Sequence, residues 1–237
     1  MGKKGQNRKS KSISAPKAMH IERKKTYWSV KPSPGAHRGD SSVALAVILR
    51  DYTGLAGTIK EAKAMLNNGD VKVNGVVRKD YKFSTGLFDT VDLEKQKMHY
   101  RIVLDAKGRL QLKGLPKAAP FKVSRVEHKI ATPKGIQVTT GDGMTFMGVK
   151  AKVGDSLKVK IPERKVEKVL PLQKDAAIYV LKGLHCADTG KVKEIVPGTA
   201  KREKLVKFAK GSGEYETVAR SVIVVGEKES ELEELKA

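Results

Sequence analysis

The sequence predicts an α+β fold rich in short strands, with one small helical module near its front and a basic arm ahead of it. Three observations carry this. Helical spacing of apolar residues is confined to the stretch from Val43 to Leu66. Beyond residue 95, short alternating runs recur between glycine turns, as in barrels and sandwiches. The first thirty residues hold nine basic side chains against one acid, Glu22, with apolar residues in no period.

Bulk composition bounds the rest. The 237 residues suffice for one large domain or two to three small ones, and 39% hydrophobic with 5% aromatic content suits several small cores. Lys and Arg number 48 against 26 Asp and Glu, a formal net charge of +22. Such an excess repels itself in a compact fold unless a polyanion neutralises it. RNA, DNA and anionic lipid are the candidates, and counterion release makes phosphate binding salt-dependent. Cys186 is the lone cysteine, so no internal disulfide forms, and no Cys/His cluster has zinc spacing. This points to a reducing, cytosolic setting. The longest apolar run, Val43 to Leu49, is too short to cross a bilayer, and no hydrophobic segment makes the basic N-terminus a secretory signal.

In chain order, residues 1–39 form the arm. Its candidate contacts to a polyanion are Lys3, Lys4, Arg8, Lys9, Lys11, Lys17, Arg23, Lys24, Lys25 and Arg38. A segment of this composition buries too little to fold alone and is expected to order as it binds. Pro32-Ser33-Pro34-Gly35 marks a stiff turn out of it. Tyr27 and Trp28 anchor the arm on protein or stack on a base.

Residues 40–95 form the module. Val43, Ala44, Val47 and Ile48 have helical spacing, with Asp40 or Ser41 as cap. Thr58 and Glu61 form a capping box for a second helix, whose apolar face is Ile59, Ala62, Met65 and Leu66, with Gly69 past its end. Asn74-Gly75 between Val71-Lys72-Val73 and Val76-Val77 predicts a hairpin, and Thr90 to Leu93 adds a strand.

Residues 96–172 form a central β-rich domain. Its strands are Tyr100 to Leu104, Arg109 to Leu112, Phe121 to Val126, Ile136 to Thr140 and Leu157 to Ile161. Residues 173–225 continue with Ile178 to Leu181, Lys191 to Val196, Lys204 to Phe208 and Ser221 to Val225. Residues 226–237 carry five acids and two bases, an acidic tail expected as a solvated end or short helix.

The chemistry concentrates in the module. Lys60 and Lys63 lie one turn apart on one helix face. Thr58 and the free amides at that helix start make a phosphate site, and Lys72, Asn74 and Arg78 sit on the hairpin. A single lysine usually just keeps a surface soluble; arm and module together argue for RNA. The five histidines are scattered without ligand spacing, and there is no nucleophile elbow and no phosphate-cradling loop ending in Gly-Lys-Ser or Gly-Lys-Thr. Asp142, between Gly141 and Gly143, reads as a turn residue. Catalytic residues, metal and cofactors are expected to be none.

The stretch TIKEAKAMLNNGDVKVNGVVRKDY resembles the S-four RNA-binding domain. That resemblance implies contacts at Lys60, Lys63, Lys72 and Arg78; Ile59 stands where many relatives carry arginine. Residues 178–183 with 190–195 look like a KOW motif, a short β-barrel unit. A glycine loop there lets backbone approach a phosphate, which adds Lys182, Gly183 and Lys191 as candidates. Arm, S-four domain, Asp105-Ala106-Lys107-Gly108-Arg109, β-rich middle and KOW unit, in this order, resemble the S-four-e family of small-subunit ribosomal proteins. The resemblance implies an SH3-like β-barrel at the C-terminal end and a cytoplasmic, non-enzymatic constituent of the small subunit. Its partners are small-subunit ribosomal RNA and neighbouring ribosomal proteins, with no membrane and no free homo-oligomer. The alternative is an RNA-modifying enzyme targeted by an S-four domain, which needs a catalytic Asp in a large α/β domain that residues 96–225 do not suit.

Overall fold

A computed structural model describes residues 10–133, 135–211 and 213–235. The chain divides into two compact units. One runs to Ile102 and takes in Arg109–Gly114; the other comprises Val103–Gly108 and everything from Leu115.

In the first unit, the described part of the arm is folded, contrary to expectation. Strands β1 (Ser10–Lys11) and β2 (Trp28–Ser29) pair antiparallel. Ala15 and Met19, 5% and 2% exposed, supply burial despite the arm's sparse apolar content. They find it against the rest of the first unit: the Leu110 amide donates to Ala18 O at 2.8 Å, and the Ser33 amide to Lys82 O at 2.8 Å.

Val43 to Leu49 are all fully buried. Such a run needs a different start from the amphipathic helix expected. Val43–Ala44 form strand β3, and helix α1 (Leu45–Val47) begins only after it, passing into a π-helical segment, Ile48–Tyr52. Its N-cap is Ala44, with no side-chain cap, so neither Asp40 nor Ser41 serves. Helix α2 (Ile59–Asn67) follows, with Ala62 and Leu66 buried.

Strands β4 (Val71–Val73) and β5 (Val76–Val77) form the hairpin. Asn74 and Gly75, at φ 51° and 73°, have the two positive values that a type I′ turn demands. Strand β6 (Ser84–Thr85) pairs with β3. Strands β7 (Thr90–Leu93), β8 (Met98–Leu104) and β9 (Leu110–Leu115) complete a sheet of order β5-β4-β7-β8-β9. The sheet therefore runs past residue 95, because β8 pairs directly with β7, Thr90 opposite Arg101.

The second unit holds two five-stranded sheets. One comprises β10 (Phe121–Thr132), β11 (Gly135–Thr140), β12 (Thr145–Met147), β13 (Ser156–Lys160) and β14 (Lys165–Leu170), in the order β12-β11-β10-β13-β14. Val126, Val138, Ala151, Leu157 and Val159 are its core. The other comprises β15 (Ala177–Val180), β16 (Thr189–Val196), β17 (Leu205–Lys210), β18 (Gly213–Val218) and β19 (Val222–Gly226), in the order β18-β17-β16-β15-β19. The fold is thus β-rich with few helices and curled sheets.

The acidic tail is not simply solvated. Leu232 is 1% exposed, the Glu231 amide donates to Val225 O at 3.0 Å, and Glu233–Leu235 form a short 3-10 turn.

Candidate nucleic-acid interface

The capping box positions α2. Thr58 Oγ1 accepts from the Glu61 amide at 3.3 Å and donates to Glu61 Oε1 at 3.0 Å, while Glu61 Oε2 accepts from the Gly57 amide at 2.8 Å. That amide bond, with the Thr58 hydroxyl, holds the Glu61 carboxyl below its usual range. The helix start is thus already served by a carboxylate, and Thr58 shapes the helix.

Lys60 and Lys63 are both exposed on α2. Lys63 Nζ lies 4.2 Å from the centre of the Tyr81 ring, and Lys82 Nζ lies 5.5 Å from the same ring. Arg78 lies 4.5 Å over Phe83. Helix and post-hairpin loop thus gather cations on aromatic faces, where the ring quadrupole attracts them. Tyr81 and Lys82 are residues that sequence reasoning missed. Their signal was the interleaved run Arg78-Lys79-Asp80-Tyr81-Lys82-Phe83.

The hairpin candidates are otherwise engaged. Lys72 is paired with Glu94. Asn74 Nδ2 donates to Asp89 Oδ1 at 2.8 Å and its Oδ1 accepts from the Thr90 amide at 3.0 Å, which fixes the turn rather than presenting the amide outward.

In the arm, Lys3, Lys4, Arg8 and Lys9 lie outside the described residues. Arg23 spends its guanidinium on the arm itself, donating to Ile13 O at 3.0 Å, Ala15 O at 2.6 Å and Pro16 O at 3.1 Å. Lys17, Lys24 and Arg38 are exposed. Lys25 is exposed as well and lies 3.5 Å from Glu22. Tyr27 and Trp28, 62% and 47% exposed, meet edge to face at 4.8 Å, with Lys11 Nζ 5.3 Å from the Tyr27 ring. Of the two roles open to this pair, outward aromatic faces beside a cation fit base stacking better than a buried anchor. A cleft of about 490 Å³ lies nearby, lined in part by His20, Lys25, Arg50 and Tyr52.

In the second unit, Lys182, Gly183 and Lys191 are exposed on the β15–β16 hairpin, and Gly183 has φ 106°. Leu184 beside them is 93% exposed. Cys186 is buried and its thiol donates to Leu181 O at 3.1 Å; burial pushes its pKa up, which suits packing. Asp142 is buried with Lys122 Nζ at 2.6 Å and Ser124 Oγ at 2.6 Å, a structural cluster. Among the described residues no group of three His, Cys, Asp or Glu could hold a metal ion, and no helix is long and apolar enough to cross a membrane.

Strand-rich sheets, a helix-and-hairpin module and cations gathered on aromatic rings describe a strongly basic, β-rich protein. Comparison with known proteins makes it particular. Residues 96–166 match the model of ribosomal family S4e, and residues 4–40 match the RS4NT (NUC023) domain. The small ribosomal subunit protein eS4 of Nanoarchaeum equitans is 37% identical over 221 residues, covering 92% of this chain and 94% of that one. Its counterpart in Archaeoglobus fulgidus is 36% identical over 226 residues, covering 93% and 94%. The crystal structure of the 30S ribosomal protein S4e from Thermoplasma acidophilum matches with a TM-score of 0.69 at 32% identity, covering 79% of this chain and 96% of that one. The chain belongs to the S4e family of ribosomal proteins, of the archaeal type.

Proposed function

We propose that the protein is a non-enzymatic structural constituent of the small ribosomal subunit in the cytoplasm, bound to ribosomal RNA beside neighbouring ribosomal proteins. The observation that carries the RNA contact is the gathering of Lys63 and Lys82 on the Tyr81 ring, with Lys60 on the same helix face as Lys63. Residues 40–95 are read as an S-four domain. They meet RNA through this surface, which suits the shape and backbone of folded RNA better than base edges in a deep A-form groove. The arm (1–39) adds Lys11, Lys17, Lys24, Lys25 and Arg38, and the Tyr27–Trp28 pair offers a stacking platform. The central domain (96–172) extends the contact, and residues 173–225 are read as an SH3-like KOW barrel presenting Lys182, Gly183 and Lys191. Thr58, Asn74 and Arg23 are assigned to support: their polar groups shape the helix, the turn and the arm. The support for the ribosomal setting is the naming of the relatives as small-subunit proteins.

The test is sedimentation of the full chain in cell extract at modest salt. Co-migration with small subunits is expected, and confinement to light fractions overturns the reading.

A further inference from the structure

The outer face of the β13–β14 pair carries an unusual register. Leu157, Val159, Val166 and Val169 point to the core, so the alternate positions face away. There Lys158 stands directly opposite Lys168, and Lys160 directly opposite Lys165. Like charges opposite one another destabilise a sheet, so two such pairs in a row need anions.

The structure supplies them from two sources. Glu163, in the turn, serves the outer pair, at 3.1 Å from Lys160 and 3.7 Å from Lys165. The inner pair is served mainly by the tail. Glu231 places Oε2 2.8 Å from Lys158 and Oε1 3.9 Å from Lys168, so one carboxylate spans both ammonium groups. Glu227 adds a contact to Lys168 at 2.9 Å, and Glu167 adds one to Lys158 at 3.3 Å.

The tail is built to reach this place. It reverses so tightly over Gly226 that a Cβ there would lie 1.7 Å from Glu229 O, and Leu232 anchors it beyond. Two oxygens of one anion, each on a lysine across a strand pair, is also how a phosphodiester would sit.

We propose that the Lys158–Lys168 pair is a phosphate-binding site for RNA, and that Glu227 and Glu231 of the chain's own tail occupy it as an internal stand-in. The tail's local concentration is high because it is tethered a few residues away, so the site admits only phosphates held nearby by other contacts. Neutralised by the tail, this face stays off stray polyanions. Engaged beside bound RNA, it exchanges carboxylate for phosphate without the tail's Leu232 anchor having to leave. The RNA part of this proposal rests on the function proposed above; the anion site itself does not.

The experiment uses the full chain, a short labelled RNA hairpin, and inorganic phosphate as a second probe. Glu227→Gln with Glu231→Gln keeps the tail's shape, frees Lys168 and leaves Lys158 with Glu167 alone. Hairpin binding is expected to tighten by about five-fold at low salt, with a salt dependence steeper by about one phosphate contact. Adding Lys158→Gln and Lys168→Gln is expected to cancel the gain. Glu194→Gln with Glu216→Gln, in the Glu194–Lys207–Glu216 row of the other sheet, makes the same charge change elsewhere and is expected to gain less. An unchanged affinity in the tail variant, an equal gain in the control, or a gain that survives loss of the lysines overturns the proposal. If no version binds the hairpin, the RNA reading falls. Phosphate-induced shifts of the Lys158 and Lys168 side-chain NMR signals, present in the tail variant and weak in the wild type, then uphold the anion site; their absence overturns it.

Discussion

His37 Nε2 lies 2.7 Å from Asp89 Oδ2 in the interior of the first unit, and Asp89 is 1% exposed. The arm's turn is thereby locked to the module. Asp89 Oδ2 also accepts from the Gly86 amide at 2.9 Å, and its Oδ1 from Asn74 Nδ2 at 2.8 Å. One carboxylate thus ties together the exit of the arm, the hairpin turn and the approach to β7.

Asp89→Ala leaves those donors facing a void. Leaving a buried donor unsatisfied costs about 1–3 kcal/mol, and urea unfolding should show a loss of at least that order. Gly86→Ala tests the same lock from the other side, because a Cβ there would stand 2.4 Å from the His37 ring. It should expel the ring and raise protease cleavage at residues 33–40 while the module stays folded.

Asp142 is held below the usual carboxylate range. Burial alone would push it up, but the Lys122 charge and the hydrogen bonds from Lys122, Ser124 and Thr140 outweigh that. A carboxyl whose folded pKa is depressed contributes stability above its unfolded pKa, about 4, and loses it as pH falls through the folded value. Acid titration of unfolding should therefore show a downward limb below about pH 4, flattened in Asp142→Asn. Lys122→Ala should cost about 3–5 kcal/mol at neutral pH, since it strands a buried carboxylate.

Tyr179 Oη accepts from the Leu104 amide at 3.1 Å and donates to Leu104 O at 3.2 Å. Tyr179→Phe strips both partners and should lower stability by about 1–3 kcal/mol. Burial raises the Tyr179 phenol to about 12. The folded state then keeps its proton longer than the unfolded chain, so stability is full below about pH 10 and declines as pH rises toward 12. The decline should be shallower in the phenylalanine variant.

Lys60→Ala with Lys63→Ala removes two exposed ammonium groups from the proposed RNA face. Binding of small-subunit RNA fragments should weaken, and the slope of log affinity against log salt should fall by about 1.5–2. An unchanged slope would move the RNA face elsewhere on the module.

Much of this was legible in the sequence. Asn74-Gly75 named the hairpin, Thr58 with Glu61 named the start of α2, and Gly69, at φ 82°, named its end. Strand β14 was missed because its own bulge residue, Glu167, sets Val166 and Val169 three apart and breaks the strand's alternation. The start of α1 was misplaced because a run buried on every side carries no period to phase it. The site was legible as charge and motif but not as geometry. Sequence order says nothing of Lys63 and Lys82 meeting at Tyr81, nor of Arg23 and Asn74 turning inward, since both depend on which carbonyls and carboxylates the fold brings within reach. The tail showed its charge but not its destination, which only the register of Lys158 and Lys168 supplies.

Arg23, tied to three carbonyls of residues 13–16, has a kinetic consequence. A cationic strand that arrives unshaped must surrender backbone freedom at the moment of capture, at about 1–2 kcal/mol per residue. Here that loss is taken during folding, so the segment from Ser12 to Ser29 is a hook already bent before any contact. Breaking it by Arg23→Ala would leave encounter rates nearly intact and shorten residence times, because the missing rigidity acts after contact rather than before it.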